Sequence, residues 1–164
     1  MMIQRILAAV LACVPLSAVA TEQLIGNWHV SVEVDRFGKT VAGFPPPTDV
    51  FVTTEQGGHT LAVRCIHNKL TIALVDAAPD RYSRGEEVRY FFRADRGDVV
   101  RGFANAIEGN TIEMVAKDGM VVDMTKAKEA AFRIIRGNVE FDRVFALKGA
   151  KKAFAALDGG CVLE

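Results

Sequence analysis

The chain has 164 residues, half of them hydrophobic, and its 20 basic and 20 acidic residues give a formal net charge of zero. This balance excludes long-range attraction to nucleic acid or to an anionic membrane surface, because no charged block is present to create it. After the first twenty residues, no apolar run reaches the length of a transmembrane helix. The length suits one hydrophobic core and is short for two.

The first twenty residues are predicted to be a secretory signal peptide. Arg5 precedes the apolar run Ile6–Leu16, which is too short to cross a bilayer of about 30 Å. Ala18 and Ala20 then occupy the small-residue positions of a signal peptidase site. We therefore expect export, with a mature protein that begins at Thr21 in the periplasm or outside the cell.

Cys13 allows a second interpretation of this leader. The residues before it resemble a bacterial lipobox, which would leave Cys13 lipidated. The apolar run ahead of the site is very short, however, and Val10 and Leu11 fit the usual pattern poorly. No lipid anchor is expected at Cys13, so residues 1–20 are assigned to the signal peptide and residues 21–164 to a single domain.

Alternation of apolar and polar residues predicts strands along most of the mature chain. It is clearest in Trp28–Asp35, where Trp28, Val30 and Val32 would share one dry face. The prolines of Phe44–Pro47 cannot donate ladder hydrogen bonds, so this run is predicted to be an extended loop. Further strands are predicted at Val50–Thr54, Leu61–Ile66, Leu70–Val75, Val88–Arg93, Val99–Ala106, Thr111–Ala116, Ala131–Arg136 and Phe141–Leu147.

Short polar turns are predicted to join these strands into antiparallel hairpins. His67–Lys69 would join one pair, with Asn68 adopting the positive φ that tight turns require. Glu108–Asn110 and the dipeptide at 137–138 would join two more pairs. Sequential strands joined in this way indicate an antiparallel sheet.

Two helices are predicted in the C-terminal half. The apolar residues of Met120–Ala130 mark one helical face, and those of Ala150–Leu157 recur at helical spacing until Gly159 and Gly160 end the pattern. The expected fold is mostly β (α+β): an antiparallel sheet or sandwich with one or two packed helices, one of them C-terminal.

Two cysteines remain in the exported domain, and we predict that Cys65 and Cys161 form a disulfide. Cys65 shares a strand face with Leu61 and Val63, so its thiol should point into the core. The closed loop is long, which gives a stabilisation of about 4 to 5 kcal/mol in a chain-entropy model. A reactive thiol or a metal site is less consistent with two distant cysteines that lack a CxxC or HxxxH context.

Several short motifs appear in a fixed order: a tryptophan strand, Leu61–Cys65, Phe92–Asp95, Phe145–Ala153 and a terminal Cys161. This order resembles the small exported bacterial proteins that include type VI secretion-associated accessory proteins of the VasI/TagO kind. The resemblance implies the fold and an extracytoplasmic location rather than a particular activity. It carries over no individual partner-binding residue.

No catalytic, cofactor or metal motif emerges from the residue types that usually supply one. His29, His59 and His67 are not spaced as metal ligands on one element, and they are predicted to lie at the surface. Ser31 and Ser83 lie in no G-x-S-x-G context, so a serine hydrolase is not expected.

The segment Asp80–Arg101 contains six arginines and five acidic residues. One interpretation is a solvated sheet edge with cross-strand ion pairs, including a structural pair between Arg93 and Asp95. The other is a recognition patch for an anionic partner, because Arg89, Phe91 and Arg93 point to the same side of one strand.

The sequence therefore predicts a non-enzymatic exported domain that acts through a protein partner in the cell envelope, with an accessory or binding role in a secretion or envelope system. The alternative is a periplasmic enzyme or enzyme inhibitor whose site forms only in three dimensions. A cleft that joins titratable groups to one of the histidines would favour the enzyme. A flat or arginine-rich face would favour the binding domain.

Overall fold

The structure, a computed structural model, describes residues 21–34, 48–117, 119–159 and 161. The predicted signal peptide, Cys13 and the proline run Phe44–Pro47 lie outside these residues. Ten strands, two short helices and one 3-10 turn occupy the described part of the chain. No helix in that part is long and apolar enough to cross a membrane.

All ten strands belong to one antiparallel sheet. Their bounds are β1 (Thr21–Ile25), β2 (Trp28–Val34), β3 (Thr48–Gln56), β4 (His59–Ile66), β5 (Lys69–Val75), β6 (Glu87–Ala94), β7 (Val100–Glu108), β8 (Thr111–Val115), β9 (Glu129–Arg136) and β10 (Val139–Ala146). The helices are α1 (Met120–Lys126) and α2 (Ala150–Phe154), and a 3-10 turn follows at Leu157–Gly159. The mostly-β fold with a C-terminal helix is confirmed.

The strand order is β1-β2-β3-β4-β5-β8-β7-β6-β9-β10. A crossover loop from Asp76 to Glu86 carries the chain from β5 to the distant β6, and α1 connects β8 to β9. β10 contacts β3 although six strands separate them in the sheet, so the sheet is rolled around its inner face. At this seam the Ala146 amide donates a hydrogen bond to Gln56 Oε1 at 2.8 Å.

The core lies on the inner face and is built around aromatic rings. Trp28 packs edge-on against Phe154 with ring centroids 4.9 Å apart. Phe132 contacts Phe92 at 5.1 Å and Phe145 at 6.3 Å. All five rings are buried, because strand alternation and the short α2 direct them to the same side of the sheet.

The helical segment after β10 packs on the inner face and ends at the cysteine pair. α2 contacts β1 and β2, and the 3-10 turn contacts β3. Leu157 is buried there, and Cys161 follows with its Cα 5.7 Å from that of Cys65, to which it is disulfide-bonded. Cys65 is itself fully buried on β4, as the alternation of that strand predicts.

The predicted helix Met120–Ala130 is too long. α1 ends at Lys126, because Ala130 already belongs to strand β9 and is buried there.

Two other features of the elements differ from the sequence-based expectation. The C-terminal helix ends at Phe154 rather than Leu157, because the chain tightens into a 3-10 turn that contains Gly159. β1 has no predicted counterpart, since its polar residues form an edge strand without a clear apolar face. The signal that could have indicated β1 is the two-residue turn Gly26-Asn27, a typical hairpin connection.

Gly149 precedes α2 where two backbone segments nearly touch. Its φ is +91°, and a Cβ at this position would lie 2.9 Å from the Ile25 carbonyl oxygen. We expect Gly149→Ala to lower the free energy of unfolding by about 2 to 3 kcal/mol, because left-handed strain and a backbone clash act together. Urea unfolding followed by the fluorescence of Trp28 measures this loss.

Gly137→Ala is the matched control for that substitution. Gly137 also has a positive φ of +57°, but nothing lies within 4 Å of a Cβ built there. This variant should show the cost of the backbone conformation without the clash. Equal losses in the two variants would contradict the role assigned to close backbone contact at Gly149.

Candidate functional site

The outer surface of β6 and β7 carries a group of side chains that we name the arginine face. Its members are Arg89, Phe91 and Arg93 on β6 and Arg101 and Phe103 on β7. The antiparallel register sets Arg89 beside Phe103 and Phe91 beside Arg101. The alternate residues of β6 are buried, so the three predicted patch residues do share the outer face. Their binding of a partner remains a prediction.

The aromatic rings of this face are accessible to solvent. Phe103 is 60 % exposed, which is high for a phenylalanine outside an interface. Phe91 is half-buried, and the Arg101 guanidinium lies 5.9 Å from its ring centroid, in cation–π range. Lys117 Nζ donates a hydrogen bond to the Arg101 carbonyl oxygen at 2.5 Å. Aromatic and arginine side chains together are the residue types enriched at protein interfaces.

The three arginines of this face have no ion-pair partner among the carboxylates of the described residues. They are Arg89, Arg93 and Arg101. The predicted pair between Arg93 and Asp95 is wrong. The Asp95 carboxylate accepts hydrogen bonds from the backbone amides of Lys128 and Glu129 at 2.9 and 3.0 Å. Asp95 has a φ of +46° in the turn after β6, which directs its side chain to the α1–β9 connection.

Arg133 on β9 differs from the arginines of the arginine face, because it forms an ion pair with a carboxylate. Its guanidinium donates two hydrogen bonds to Asp142 on β10, at 2.8 and 2.9 Å. This hydrogen bonding holds the pKa of the Asp142 carboxyl below its usual range. Because the pair is closed, Arg133 adds little uncompensated charge beside the arginine face.

A shallow groove of about 380 Å³ runs beside Phe91, between β6 and β9. Ala131 lies opposite Arg93 in the register, and its small side chain leaves space there. Val99 and Ile135 add apolar lining, and Val99 is 47 % exposed. The groove therefore has an apolar part next to Arg93, which is unpaired among the described residues, and its opposite rim carries Arg133 with the carboxylates of Glu140 and Asp142.

A second polar group lies at the end of β5, and we name it the Asp76 cluster. Tyr82 Oη donates to Asp76 Oδ2 at 2.8 Å, and Arg143 Nε and Nη2 donate to Oδ1 at 3.0 and 2.5 Å. His59 Nδ1 is 3.0 Å from Oδ1, and Arg81 Nε is 3.2 Å from Oδ2. The cluster joins β4, the crossover loop and β10 around one buried carboxylate.

Aromatic contacts complete the Asp76 cluster. The central guanidinium carbons of Arg81 and Arg143 lie 4.8 and 5.0 Å from the ring centroid of Phe141. Burial raises the pKa of Tyr82, and its hydrogen bond to Asp76 raises that pKa further, so the phenol remains a donor at neutral pH. Paired charges and a hydrogen-bonded phenol are typical of a structural ion network.

The contact between His59 and Asp76 is the observation that bears on the enzyme alternative. A buried carboxylate beside an imidazole orients the ring in many hydrolases. Here, two arginines also bind Asp76, and within the described residues no serine or cysteine is hydrogen-bonded to His59.

The prediction of surface histidines holds for His29 and His67, and it is wrong for the partly buried His59.

No group of three or more metal-ligating side chains occurs in the part of the chain that the structure describes. The Asp76 cluster is not a ligand set of this kind, because its carboxylate is surrounded by cations. We therefore assign it a structural role and take the arginine face as the candidate functional site.

Sequence reasoning missed the Asp76 cluster because its members are far apart in the chain. One local signal was present in β10. Arg143 lies two residues from Phe141 and two from Phe145, so the alternation of β10 places all three side chains on the inner face. An arginine in such a position requires a buried acidic partner, although only the tertiary structure identifies that partner as Asp76.

No protein-family model and no curated protein matches the chain. A solved structure that is similar to it is that of invasion associated protein B from Bartonella henselae. The two chains are 13% identical and superpose with a TM-score of 0.56, over 85% of this chain and 96% of the other. At this identity the likeness establishes a shared fold and nothing about activity.

Proposed function

We propose that the protein is a non-enzymatic, exported binding domain whose arginine face contacts an acidic surface of a protein partner in the cell envelope. One observation carries the proposal: three arginines without carboxylate partners among the described residues surround two accessible phenylalanine rings. A guanidinium beside apolar surface binds carboxylates in a planar, bidentate geometry. Arginine and aromatic anchors also supply most of the binding energy at interfaces.

The composition of this face favours a protein over a polyanion. The chain has no net charge, so it has no long-range field to collect nucleic acid or an anionic membrane. The accessible rings of Phe91 and Phe103 would gain from apolar contacts that a uniformly charged polymer does not offer. A protein surface combines carboxylates with apolar side chains and can satisfy both.

The proposed location rests on the leader sequence, and the bonded cysteine pair is compatible with an oxidising compartment. The resemblance to type VI secretion-associated accessory proteins supports a role beside a secretion or envelope system. Amino-terminal sequencing of the exported protein tests the location, with Thr21 as the expected first residue. Genes for a secretion system beside this one would support the accessory role.

Site-specific photo-crosslinking tests the binding function. A benzophenone amino acid at Phe103 should crosslink one identifiable envelope protein in living cells. The same group at Leu24 is the matched control, because Leu24 is 64 % exposed but lies on β1, far from β7 in the strand order. We expect no crosslink to that protein from Leu24.

Charge reversal tests whether the arginines carry the contact. Arg89→Glu with Arg93→Glu should reduce the crosslink from Phe103 at least tenfold, because two attractive contacts become repulsive. Lys151→Glu with Lys152→Glu makes the same change in net charge on exposed residues of α2 and should leave the crosslink unchanged. Both double variants should melt at the temperature of the parent protein. A crosslink that survives the arginine substitutions would contradict the proposed function.

A further inference from the structure

The arginine face has a repeat that constrains the shape of its ligand. We infer that the partner presents an extended segment in which an acidic residue, an apolar residue and a second acidic residue occupy every second position. This inference rests on the proposed function and specifies the partner's binding segment. It follows from the spacing of Arg89, Phe91 and Arg93 along β6 and from the groove beside them.

The strand period sets the distances that the ligand must match. Successive side chains on one face of a strand are about 7 Å apart, so Arg89 and Arg93 are about 13 Å apart with Phe91 between them. An extended segment has the same period and can place three alternate side chains opposite these three residues. Helical positions i, i+4 and i+8 advance by about 6 Å in each step, so a helix falls about 1 Å short of the period of β6 at each step, whereas an extended segment matches it.

The charges of the face determine which side chains the segment needs. Arg89 and Arg93 have no carboxylate partner among the described residues, and each can donate two parallel hydrogen bonds to one carboxylate. Arg101 beside Phe91 adds positive charge at the centre and holds the ring by its cation–π contact. The complementary segment therefore has an acidic residue opposite Arg89 and another opposite Arg93, four positions apart in its own sequence.

The groove determines the middle position. Phe91, Val99 and Ala131 form the apolar part of the groove, whose whole volume of about 380 Å³ is open to solvent and accommodates a large side chain. On the β9 and β10 side the groove is bordered by Arg133 with two carboxylates, Asp142 and Glu140, so this rim disfavours an acidic side chain in the middle position. An aromatic or large aliphatic residue is thus the expected occupant between the two acids.

Face-to-face packing of strands makes this arrangement sterically reasonable. Strands of two stacked sheets lie about 10 Å apart and keep their directions within about 30°. That separation leaves room for an arginine side chain from one strand and a glutamate from the other. The binding segment of the partner can be a strand of the partner's own sheet or an extended loop.

A peptide titration tests the inference. The probe is an acetylated and amidated peptide, Glu-Thr-Phe-Thr-Glu, added to the disulfide-bonded protein purified from the periplasm of an expression host. The matched control, Thr-Glu-Phe-Glu-Thr, has the same composition and charge but places its acids on the face opposite the phenylalanine in an extended chain. Backbone amide shifts are recorded by NMR up to about 5 mM peptide, since short peptides of this size bind weakly.

We expect shifts concentrated at Arg89, Phe91, Arg93 and Val99, with an affinity at least fivefold higher for the first peptide than for the control. Raising the salt concentration should weaken the first peptide's binding, because the contacts are between exposed charges. Arg89→Glu with Arg93→Glu should abolish the shifts. Lys151→Glu with Lys152→Glu should preserve them.

Equal binding of the two peptides, or no shift at these residues, would overturn the alternating motif. The proposed function has a separate readout in the crosslink from Phe103. A persistent, arginine-dependent crosslink together with a failed peptide titration would overturn only the motif. Loss of both would overturn the binding function as well.

Discussion

Asp76→Asn should lower the free energy of unfolding by about 3 to 5 kcal/mol, because it leaves buried cations without their counter-charge. Asp76 is 6 % exposed, and the Arg143 side chain that binds it is 14 % exposed. The amide keeps the shape of the carboxylate but cannot compensate two guanidinium groups. Urea unfolding at neutral pH, followed by circular dichroism, measures the loss.

Asp142→Asn is the matched control for this prediction. The pair that Asp142 forms with Arg133 has two short hydrogen bonds but is about half exposed at both side chains. Exposed pairs contribute about 0 to 1 kcal/mol, so this variant should be close to the parent protein. Similar losses for the two asparagine variants would contradict the assignment of Asp76 as a buried structural centre.

A double-mutant cycle separates the charge effect from loss of packing. Arg143→Met removes the main cation and keeps an unbranched side chain beside Phe141. Combined with Asp76→Asn, it should cost less than the sum of the two single substitutions, because each single variant leaves an unpaired group that the other removes. Strict additivity would indicate that the two residues do not interact energetically.

Removal of the disulfide is the second change with a large expected effect. Cys65→Ala with Cys161→Ala should lower the free energy of unfolding by about 4 to 5 kcal/mol, because the bond closes a long loop in the unfolded chain. The two cysteines are 96 residues apart, and both are buried. The bond also holds the segment after α2 against β4, where Leu157 is part of the core.

Unfolding in the presence of a reductant separates the effect of losing the disulfide bond from the effect of replacing the cysteine side chains by alanine. The parent protein should lose most of this stability when unfolded in the presence of dithiothreitol, whereas the alanine variant should not respond. Mass spectrometry of non-reduced peptides should show Cys65 joined to Cys161 in protein recovered from the periplasm. Free thiols at both positions, or a parent protein that is indifferent to reductant, would contradict the prediction.

The sequence predicted the strands and their hairpins well because their signals are local. Alternation in Val88–Arg93 places Arg89, Phe91 and Arg93 on one face whatever the strand's neighbours are. The turn near Asn68 has the positive φ that was expected there. Edge strand β1 was missed because a polar edge lacks the alternation on which such predictions depend.

The surroundings of the candidate site could not be predicted in the same way. Arg101 and Phe103 join the arginine face only because β7 pairs with β6 in one register. The groove at Ala131 exists because β9, and not β5, lies on the other side of β6. These are long-range pairings, and local residue patterns do not specify which strands become neighbours.

The sequence by itself predicted the outward-facing residues of strands such as β6, the pairing of Cys65 with Cys161, and a mostly antiparallel β fold. These properties follow from the two-residue period of a strand and from the small number of cysteines in the predicted mature chain. Only the tertiary structure decided that β6 lies between β7 and β9, and that the rolled sheet brings Arg143 to Asp76. The physical reason is that both depend on the closure of long loops, whose cost is repaid by burial of the whole inner face and not by any short segment.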